Sequence, residues 1–278
     1  MSPLLRRALT VIVGIPWVLG WLWVSSYYER PELVVLLLGG VAGIAAWEYA
    51  QLLLKMGLAV HPPGFVGVSV LLVAATGLVA DRALEFLGLT ILVLLSRAVI
   101  RPGGDLAESL RAAAGEVLGL VYIPFLLQFF YPLFGDERGF ARAVGLLALV
   151  WAYDTGAYLV GSRWGRHKLA PRLSPGKTWE GVLGGLLLAF LAALGVVGVG
   201  KMVPELSGIA MMGHALGLSL AVSTAAQLGD LFESLLKRAA GVKDAGGLFP
   251  GHGGMLDRID ALLFALPVFY VYLRFLLG

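Results

Sequence analysis

The sequence contains no cysteine in its 278 residues. Disulfide bonds, thiolate metal sites and a cysteine nucleophile are therefore excluded. Charged residues are also scarce, because Asp, Glu, Lys and Arg together make up 14% of the chain, against about 25% in soluble domains. Hydrophobic residues make up 59%. This composition excludes an ordinary soluble domain and indicates that the chain lies in a lipid bilayer.

Long apolar runs recur along the whole chain and predict an all-α fold, a polytopic transmembrane helix bundle of about nine spans. No internal repeat or low-complexity tract divides the sequence, so residues 1–278 are predicted to form a single integral membrane domain. The predicted spans lie at about 8–24, 33–54, 63–80, 83–100, 117–134, 140–162, 181–201, 208–229 and 259–277.

Positive charge is distributed unevenly over the segments between these spans. With the N-terminus in the cytoplasm, fifteen of the 21 Lys and Arg residues fall on the cytoplasmic side of a nine-span chain. The positive-inside rule therefore predicts a cytoplasmic N-terminus. The same orientation places the charged loops 163–180 and 237–258 on the cytoplasmic side. Residues 103–115 are predicted to form a short amphipathic helix on that side.

A single window, residues 230–260, holds ten titratable groups in an otherwise apolar chain. It lies at the cytoplasmic side of the last two predicted spans. Asp230, Ser234 and Lys237 have the spacing of residues on one helical face. Gly241 is expected to end that helix in the left-handed conformation.

The second half of this window is a glycine-rich loop followed by two carboxylates. The loop, residues 246–254, can place backbone N–H groups against an anion. Asp257 and Asp260 share a helical face at the start of the last apolar run. Carboxylates and cations beside such a loop suit a divalent ion that holds phosphates.

Two stretches of the chain resemble motifs of one enzyme family. From Ser234 to Asp260 the sequence reads S-x-L-K-R-x4-K-D-x-G-x2-F-P-x-H-G-G-M-x-D-R-I-D. It resembles, without a gap, the signature of the phosphatidate cytidylyltransferases, also called CDP-diacylglycerol synthases. From Ser174 to Gly181 the sequence S-P-G-K-T-W-E-G is similar to the S-P-x-K-T-x-E-G stretch of the same family.

The resemblance implies a reaction of phospholipid biosynthesis: CMP passes from CTP to phosphatidic acid and gives CDP-diacylglycerol and pyrophosphate. The attacking phosphate is already an anion, so charge neutralisation and in-line positioning are needed rather than a strong base. The expected cofactor is Mg²⁺, and a second cation is left open. The expected partners are CTP, phosphatidic acid and membrane lipid, with no nucleic acid. A homodimer is left open.

Site roles follow from the resemblance together with the chemistry that it implies. Three carboxylates are expected to bind the metal, and Asp244 and Asp154 are reserve ligands; the three are Asp230, Asp257 and Asp260. The groups expected to act on the phosphates in catalysis are Ser234, Lys237, Arg238, Lys243, Asp244, His252 and Arg258. The residues expected to bind substrate are Ser174, Lys177, Thr178, Gly253 and Gly254. Ser234 is expected to hydrogen-bond phosphate and not to act as a nucleophile.

Two carboxylates inside predicted spans raise a separate question, since an ionisable group in a membrane needs a partner or a wet cavity. Glu48 is interpreted as an ion-pair member or an interfacial residue near the cytoplasmic end of its span. Asp154, in the sequence W-A-Y-D-T-G-A-Y, is expected to be functional.

Three alternative functions remain at this point. A related CTP-using membrane enzyme, such as a polyprenol kinase or a synthase acting on ether lipids, needs similar cations and carboxylates. A transporter or channel could use Asp154 and Asp230 along an ion path. A structural membrane protein is the third alternative, although it does not need a charged glycine-rich loop. The expected location is a bacterial cytoplasmic (inner) membrane, with a multi-pass chain and an active site that faces the cytoplasm.

Overall fold

The computed structural model describes residues 3–79, 82–100, 105–200, 214–249 and 253–276. Helices contain most of these residues, which confirms the predicted all-α class. A two-stranded antiparallel sheet is the only sheet in these ranges. The helices are α1 (Pro3–Tyr27), α2 (Pro31–Lys55), α3 (Pro62–Leu78), α4 (Ala83–Ile100), α5 (Leu106–Leu120), α6 (Phe130–Phe134), α7 (Gly139–Trp164), α8 (Trp179–Gly200), α9 (Ala215–Ala239) and α10 (Leu256–Leu276). A π-helical turn (Val121–Phe125) follows α5, and strands β1 (Lys168–Ala170) and β2 (Ser174–Thr178) lie between α7 and α8.

Six segments of the described chain are long and apolar enough to cross a membrane, which agrees with a polytopic membrane protein. They are Pro31–Lys55, Ala83–Ile100, Leu106–Phe134, Gly139–Trp164, Trp179–Val196 and Ala215–Ala239. Helices α1, α3 and α10 coincide with the other three predicted spans. The total of nine spans stays a prediction.

The chain divides into two compact units, and each is described separately below. The first unit comprises Met1–Tyr131 and Leu236–Ile259, and the second comprises Pro132–Leu235 and Asp260–Gly278. Helices α9 and α10 each contribute residues to both units. The prediction of a single membrane domain over residues 1–278 stays a prediction.

The core of the first unit lies where α2, α3 and α5 meet. Tyr49 of α2 is fully buried, and its ring centroid lies 5.8 Å from that of Phe65. Its hydroxyl donates to the carbonyl oxygen of Gly115, 2.8 Å away. A Cβ at Gly119 would lie 2.7 Å from Cζ of Phe65, so only glycine fits at this contact. The aromatic pair therefore holds α5 close to α2.

Helix α5 differs from its prediction. An amphipathic helix over 103–115 and a separate span from 117 were expected, whereas α5 runs without a break from Leu106 to Leu120. The chain then continues through the π-helical turn, which contains Pro124. Proline has no N–H to donate, and a π-helical turn accommodates this locally instead of ending the helix. Membrane-length apolar structure therefore begins at residue 106 rather than 117.

In the second unit, glycines allow α7 and α8 to pack backbone to backbone. A Cβ at Gly156 would lie 2.8 Å from Cβ of Leu188, and one at Gly161 would lie 3.4 Å from Cα of Gly181. Small residues at such positions are the usual means of close helix approach in membranes. Buried Tyr153 of α7 donates from its hydroxyl to Oε1 of Gln227 on α9, 2.9 Å away.

The charged segment between α7 and α8 folds into a hairpin, although the sequence predicted only a loop there. Lys168 pairs with Thr178 and Ala170 with Ser174, with an irregularity between the two pairs. The N–H of Trp179, the first residue of α8, donates to the carbonyl oxygen of His167 at 2.9 Å. The hairpin therefore leads directly into α8.

Candidate active site

Helix α9 carries the first half of the signature window. It extends ten residues beyond the predicted end of the span at 229 and stops at Ala239. Gly241 has a φ of 69°, which confirms the predicted left-handed end of this helix. The N–H of Val242 donates to the carbonyl oxygen of Lys237, 2.9 Å away, and closes the last turn.

In the second unit, Asp230 lies between the two stretches that carry the family resemblance and contacts a residue of each. Nζ of Lys177, on β2, lies 2.5 Å from Oδ2 of Asp230, on α9. The two side chains are 20% and 34% exposed. Ser234, one turn along α9, donates from its hydroxyl to Oδ1 of Asp230 at 3.5 Å. Two matches that are more than fifty residues apart in sequence thus meet at one carboxylate.

In the first unit, the carboxylate of Asp257 binds three other residues of the signature window. Its Oδ1 lies 2.7 Å from Nζ of Lys237. Its Oδ2 accepts from the N–H groups of Ala245 and Gly254, at 2.9 and 2.8 Å. Burial raises the pKa of Asp257, but the hydrogen bonds from Lys237 and from these amides outweigh it and bring the pKa below its ordinary value. The carboxylate therefore stays ionised at neutral pH.

Glu48 of α2 contacts the same signature loop, which sequence reasoning did not foresee. Its Oε1 accepts from the N–H of Met255 at 3.0 Å, and its Oε2 accepts from the N–H of Leu256 at 2.8 Å. The residue is 6% exposed. Among the described residues, the hydrogen-bond partners of this carboxylate are backbone amides, not the cation of an ion pair. The sequence did show an ionisable residue inside an apolar run. It could not show the partners of that residue, because they are more than 200 residues away in the chain.

Glu180 is a second residue to which the sequence assigned no role, although it belongs to the S-P-x-K-T-x-E-G stretch. Its carboxylate accepts from the N–H groups of Arg166 and His167, at 3.1 and 3.2 Å. Oε1 also lies 2.6 Å from Nδ1 of His167. The hydroxyl of Thr178 accepts from the N–H of Gly181 at 3.1 Å and so caps the first turn of α8. Glu180 and Thr178 thus fix the end of the hairpin that carries Lys177.

The other predicted site residues lie at the surface or have local partners. Arg238, Lys243, Asp244 and Arg258 are exposed, as is the reserve ligand Asp154. Nη1 of Arg238 donates to the carbonyl oxygen of Val242 at 3.4 Å, and Oδ1 of Asp260 accepts from the N–H of Ala261 at 2.7 Å. Ser174 is partly buried at the start of β2, and Gly253 has a φ of 78°. His252 lies outside the described residues.

The donor chemistry of the predicted metal ligands suits Mg²⁺, which prefers carboxylate oxygens and retains water ligands. Asp230 suits this role best, since one of its oxygens has only a long contact with Ser234 and the side chain is one-third exposed. Asp257 is less available to a metal ion, because both of its oxygens already accept hydrogen bonds from the protein. Within the described part of the chain, no group of three or more His, Asp or Glu residues is placed to hold a metal ion.

Comparison with known proteins reveals similarity over almost the whole chain. A sequence profile described as the cytidylyltransferase family matches residues 5–276. The chain is 35% identical to the phosphatidate cytidylyltransferase of Haemophilus influenzae, over 98% of this chain and 99% of that protein. It is 35% identical to the protein of the same name from Pseudomonas aeruginosa, over 95% and 94%. A third, from Thermotoga maritima, is 40% identical, but that alignment covers 63% of this chain and 64% of that protein.

Proposed function

The chain belongs to the cytidylyltransferase family, so it is a nucleotidyltransferase, and we propose that it transfers CMP from CTP to phosphatidic acid. The products are CDP-diacylglycerol and pyrophosphate. The observation that carries this proposal is that Asp230 contacts both stretches that resemble the family, Lys177 through an ion pair and Ser234 through a hydrogen bond. The proposed role of the enzyme is in phospholipid biosynthesis.

In the proposed reaction, a phosphate oxygen of phosphatidic acid attacks the α-phosphorus of CTP. A new phosphorus–oxygen bond forms to the lipid phosphate, and the bond to the β-phosphate breaks and releases pyrophosphate. The nucleophile is already ionised at neutral pH, so the protein has to align two anions and offset their repulsion. The cationic side chains around the signature can supply the positive charge that this requires, and they are Lys177, Lys237, Arg238, Lys243 and Arg258.

Both motif lysines are held by aspartates, which gives them a definite position. Nζ of Lys237 lies 2.7 Å from Asp257, and the lysine side chain is 14% exposed. Lys177 is held by Asp230 in the same way. Buried and paired ammonium groups lose little conformational freedom when a phosphate binds. We propose that both lysines contact substrate phosphates, together with Ser174, Thr178, Ser234 and His252, and that Asp244 acts beside them in catalysis or as a reserve ligand of the metal.

The glycines of the signature loop are proposed to approach a phosphate closely. Gly253 has a positive φ, so its backbone conformation suits glycine. The N–H of Gly254 donates to Asp257 at 2.8 Å. A phosphate oxygen takes that N–H only if Asp257 releases it, so binding at Gly254 is proposed to be linked to movement of the Asp257 carboxylate.

Members of this family generally use a divalent cation, and Mg²⁺ is proposed here. Asp230, Asp257 and Asp260 are the proposed ligands, and a second cation is left open. A bound divalent ion supplies charge neutralisation for the phosphates. The chain is also proposed to lie in a bacterial cytoplasmic membrane, with the site facing the cytoplasm. CTP, phosphatidic acid and membrane lipid are the proposed partners, and a homodimer remains open.

The proposal is tested with purified protein in detergent, CTP labelled in its cytidine, phosphatidic acid and Mg²⁺. We expect chloroform-soluble label only when phosphatidic acid is present. Folded protein that produces no labelled lipid over a range of detergents and Mg²⁺ concentrations would contradict the proposal. A panel with polyprenols and ether lipids decides between this substrate and those of related CTP-using membrane enzymes.

A matched pair of hairpin variants tests the observation behind the proposal. We expect Lys177→Met to lower turnover by at least about tenfold, because one charged contact to a phosphate contributes more than about 1.4 kcal/mol. Lys168→Met removes the same charge from an exposed position on β1 and is the control. Equal turnover of both variants would remove Lys177 from the site.

A further inference from the structure

A buried carboxylate from outside both motifs contacts the signature window. Glu48 lies near the middle of the second half of α2, a helix long and apolar enough to cross a membrane. It is 6% exposed, and both of its oxygens accept hydrogen bonds from backbone amides. An ionisable side chain in such a helix is held there by its partners. Those partners are Met255 and Leu256, which belong to the signature.

Glu48 caps α10. Met255 directly precedes this helix and Leu256 is its first residue. The first amides of a helix lack partners within the helix and carry a partial positive charge, so a carboxylate placed there is a strong acceptor. Because each oxygen takes one amide, the carboxylate holds the first residues of α10 in place.

Glu48 and Asp257 divide the amides of the loop between them. Asp257 accepts from Gly254 at 2.8 Å, and Glu48 accepts from the next two residues. Three consecutive N–H groups, at positions 254, 255 and 256, therefore point at two carboxylates. Glu48 is bonded to Met255 and Leu256, which directly precede Asp257, so we expect a shift of Glu48 to displace Asp257 as well. Asp257 in turn pairs with Lys237.

The glycines of the loop show how closely Glu48 fits. A Cβ at Gly246 would lie 2.6 Å from Cδ of Glu48 and closer still to Oε1. A Cβ at Gly254 would collide with both carboxylate oxygens. Gly247, by contrast, has no described atom within 4 Å of such a Cβ. Glu48 therefore leaves no room for a Cβ at positions 246 and 254, whereas the space at position 247 is open.

We infer that Glu48 is a positioning residue: it holds the signature loop and the start of α10 so that Asp257 and Lys237 are placed for phosphate chemistry. The inference rests on the proposed function for its effect on turnover, and on contacts within the first unit for its effect on the loop. Substitution of a residue that orients catalytic groups in this way typically lowers activity about ten- to a hundredfold.

The first test uses Glu48→Gln and Glu48→Asp in the full chain, with Glu32→Gln as the control. Glu32 is an exposed carboxylate at the start of the same helix. Glutamine keeps the size of Glu48 but turns one acceptor into a donor that faces an amide. We expect kcat at saturating CTP and phosphatidic acid to fall about ten- to a hundredfold in Glu48→Gln, with partial rescue in Glu48→Asp. KM for CTP should change less than kcat.

The second test measures the loop without relying on activity. Hydrogen exchange of a peptide that covers Met255 and Leu256 should become faster in Glu48→Gln and stay unchanged in Glu32→Gln. Faster exchange in a protein whose wild type makes no CDP-diacylglycerol would leave the positioning of the loop intact and contradict only the proposed function. An active wild type with unchanged exchange and unchanged kcat in Glu48→Gln would overturn the inference.

A glycine pair keeps the test informative even if the Glu48 variants do not fold. Gly246→Ala introduces a methyl group against the Glu48 carboxylate, whereas Gly40→Ala introduces one into open space at an exposed position on α2. We expect Gly246→Ala to lower kcat at least about tenfold and Gly40→Ala to leave it within about twofold of wild type. The shorter side chain of Glu48→Asp should relieve part of the Gly246→Ala defect in the double variant. Equal effects of the two alanines would overturn the inference.

Discussion

At the scale of single residues, the aspartates of the candidate site differ in how firmly the described part of the protein holds them. Asp257 is 7% exposed and has three hydrogen-bond partners there. Asp230 is 34% exposed and has one close partner, Lys177. The more exposed carboxylate is freer to exchange its partner for an incoming phosphate or ion. The two should therefore respond differently to the same substitution.

Asp230→Asn is expected to lower kcat by about two to three orders of magnitude while the melting temperature in detergent stays close to that of wild type. The substitution removes the charge that suits a divalent cation but leaves a partly exposed side chain of equal size. The measurement is turnover against Mg²⁺ concentration beside a thermal melt. Asp230→Glu is the control, since a longer carboxylate should restore part of the activity. Near-normal turnover at limiting Mg²⁺ would exclude Asp230 as a ligand.

Asp257→Asn is expected to destabilise the protein as well as to inactivate it. Removal of one partner of a buried ion pair typically costs about 3–5 kcal/mol, and Asp257 also accepts from two backbone amides. We therefore expect a clearly lower melting temperature than for Asp230→Asn. The double variant Asp257→Asn with Lys237→Met should recover part of the lost stability. A melt of Asp257→Asn that matches wild type would contradict this role.

The same pair predicts a pH dependence. The pKa of Asp257 is lowered in the folded state, so its contribution to stability is complete above the ordinary carboxyl pKa of 3.8 and is lost as pH falls through the folded value. The difference in melting temperature between wild type and Asp257→Asn should be constant above about pH 5 and shrink below about pH 4. A melting-temperature difference that grows as the pH falls would contradict a lowered pKa of Asp257 in the folded state.

Sequence reasoning found the charged residues of the site but not the way in which they pair. The spacing of Asp230 and Ser234 predicted a shared helical face, and their side chains are in contact. It could not predict that Lys177 meets Asp230, because no local period connects residues more than fifty positions apart. Glu48 was noticed as a charge within an apolar run, but its partners depend on the packing of α2 beside the signature loop. Roles of individual residues in catalysis stay predictions.

At the scale of elements, hydrophobic runs predicted the helices well and their ends less well. The ends of α4 match the prediction at both residues, and those of α7 lie within two residues. Helix α9 continues beyond the apolar run because its polar last turns, with Asp230 and Lys237, find partners in the protein. The break expected before residue 117 is absent because the chain passes Pro124 as a π-helical turn. Hydropathy indicates burial in lipid or protein, but it does not detect a paired polar helix end or a π-helical turn at a proline.

A glutamate in the first turn of α8 holds the start of the hairpin. Glu180 accepts from two amides at its start and contacts His167. We expect Glu180→Gln to loosen the hairpin and to accelerate trypsin cleavage after Arg166, Lys168 or Arg172 several-fold. Glu137→Gln, an exposed carboxylate in another loop, is the control. Equal cleavage rates in both variants and wild type would show that Glu180 does not hold the hairpin.

At the scale of the whole molecule, the distribution of Lys and Arg predicts that the hairpin lies in the cytoplasm. The absence of cysteine makes this easy to test. Gly176→Cys places a thiol on the exposed hairpin with open space around it, and Glu137→Cys places one in the loop before α7, which is predicted to lie outside. In intact cells, an impermeant maleimide should label the cysteine at 137 but not the one at 176. The reverse pattern would invert the predicted orientation.

The contact between Glu48 and the loop also has a consequence for biosynthesis. Glu48 and the amide of Met255 are 207 residues apart in the chain. At about 5–20 residues per second, a ribosome leaves this carboxylate without its final partner for roughly 10–40 s. During that time Glu48 lacks the two amides at the start of α10 from which it accepts in the folded protein. A chain that stops before residue 255 never supplies these amides, so we expect Glu48 to be a feature by which membrane quality control tells a truncated copy from a finished one.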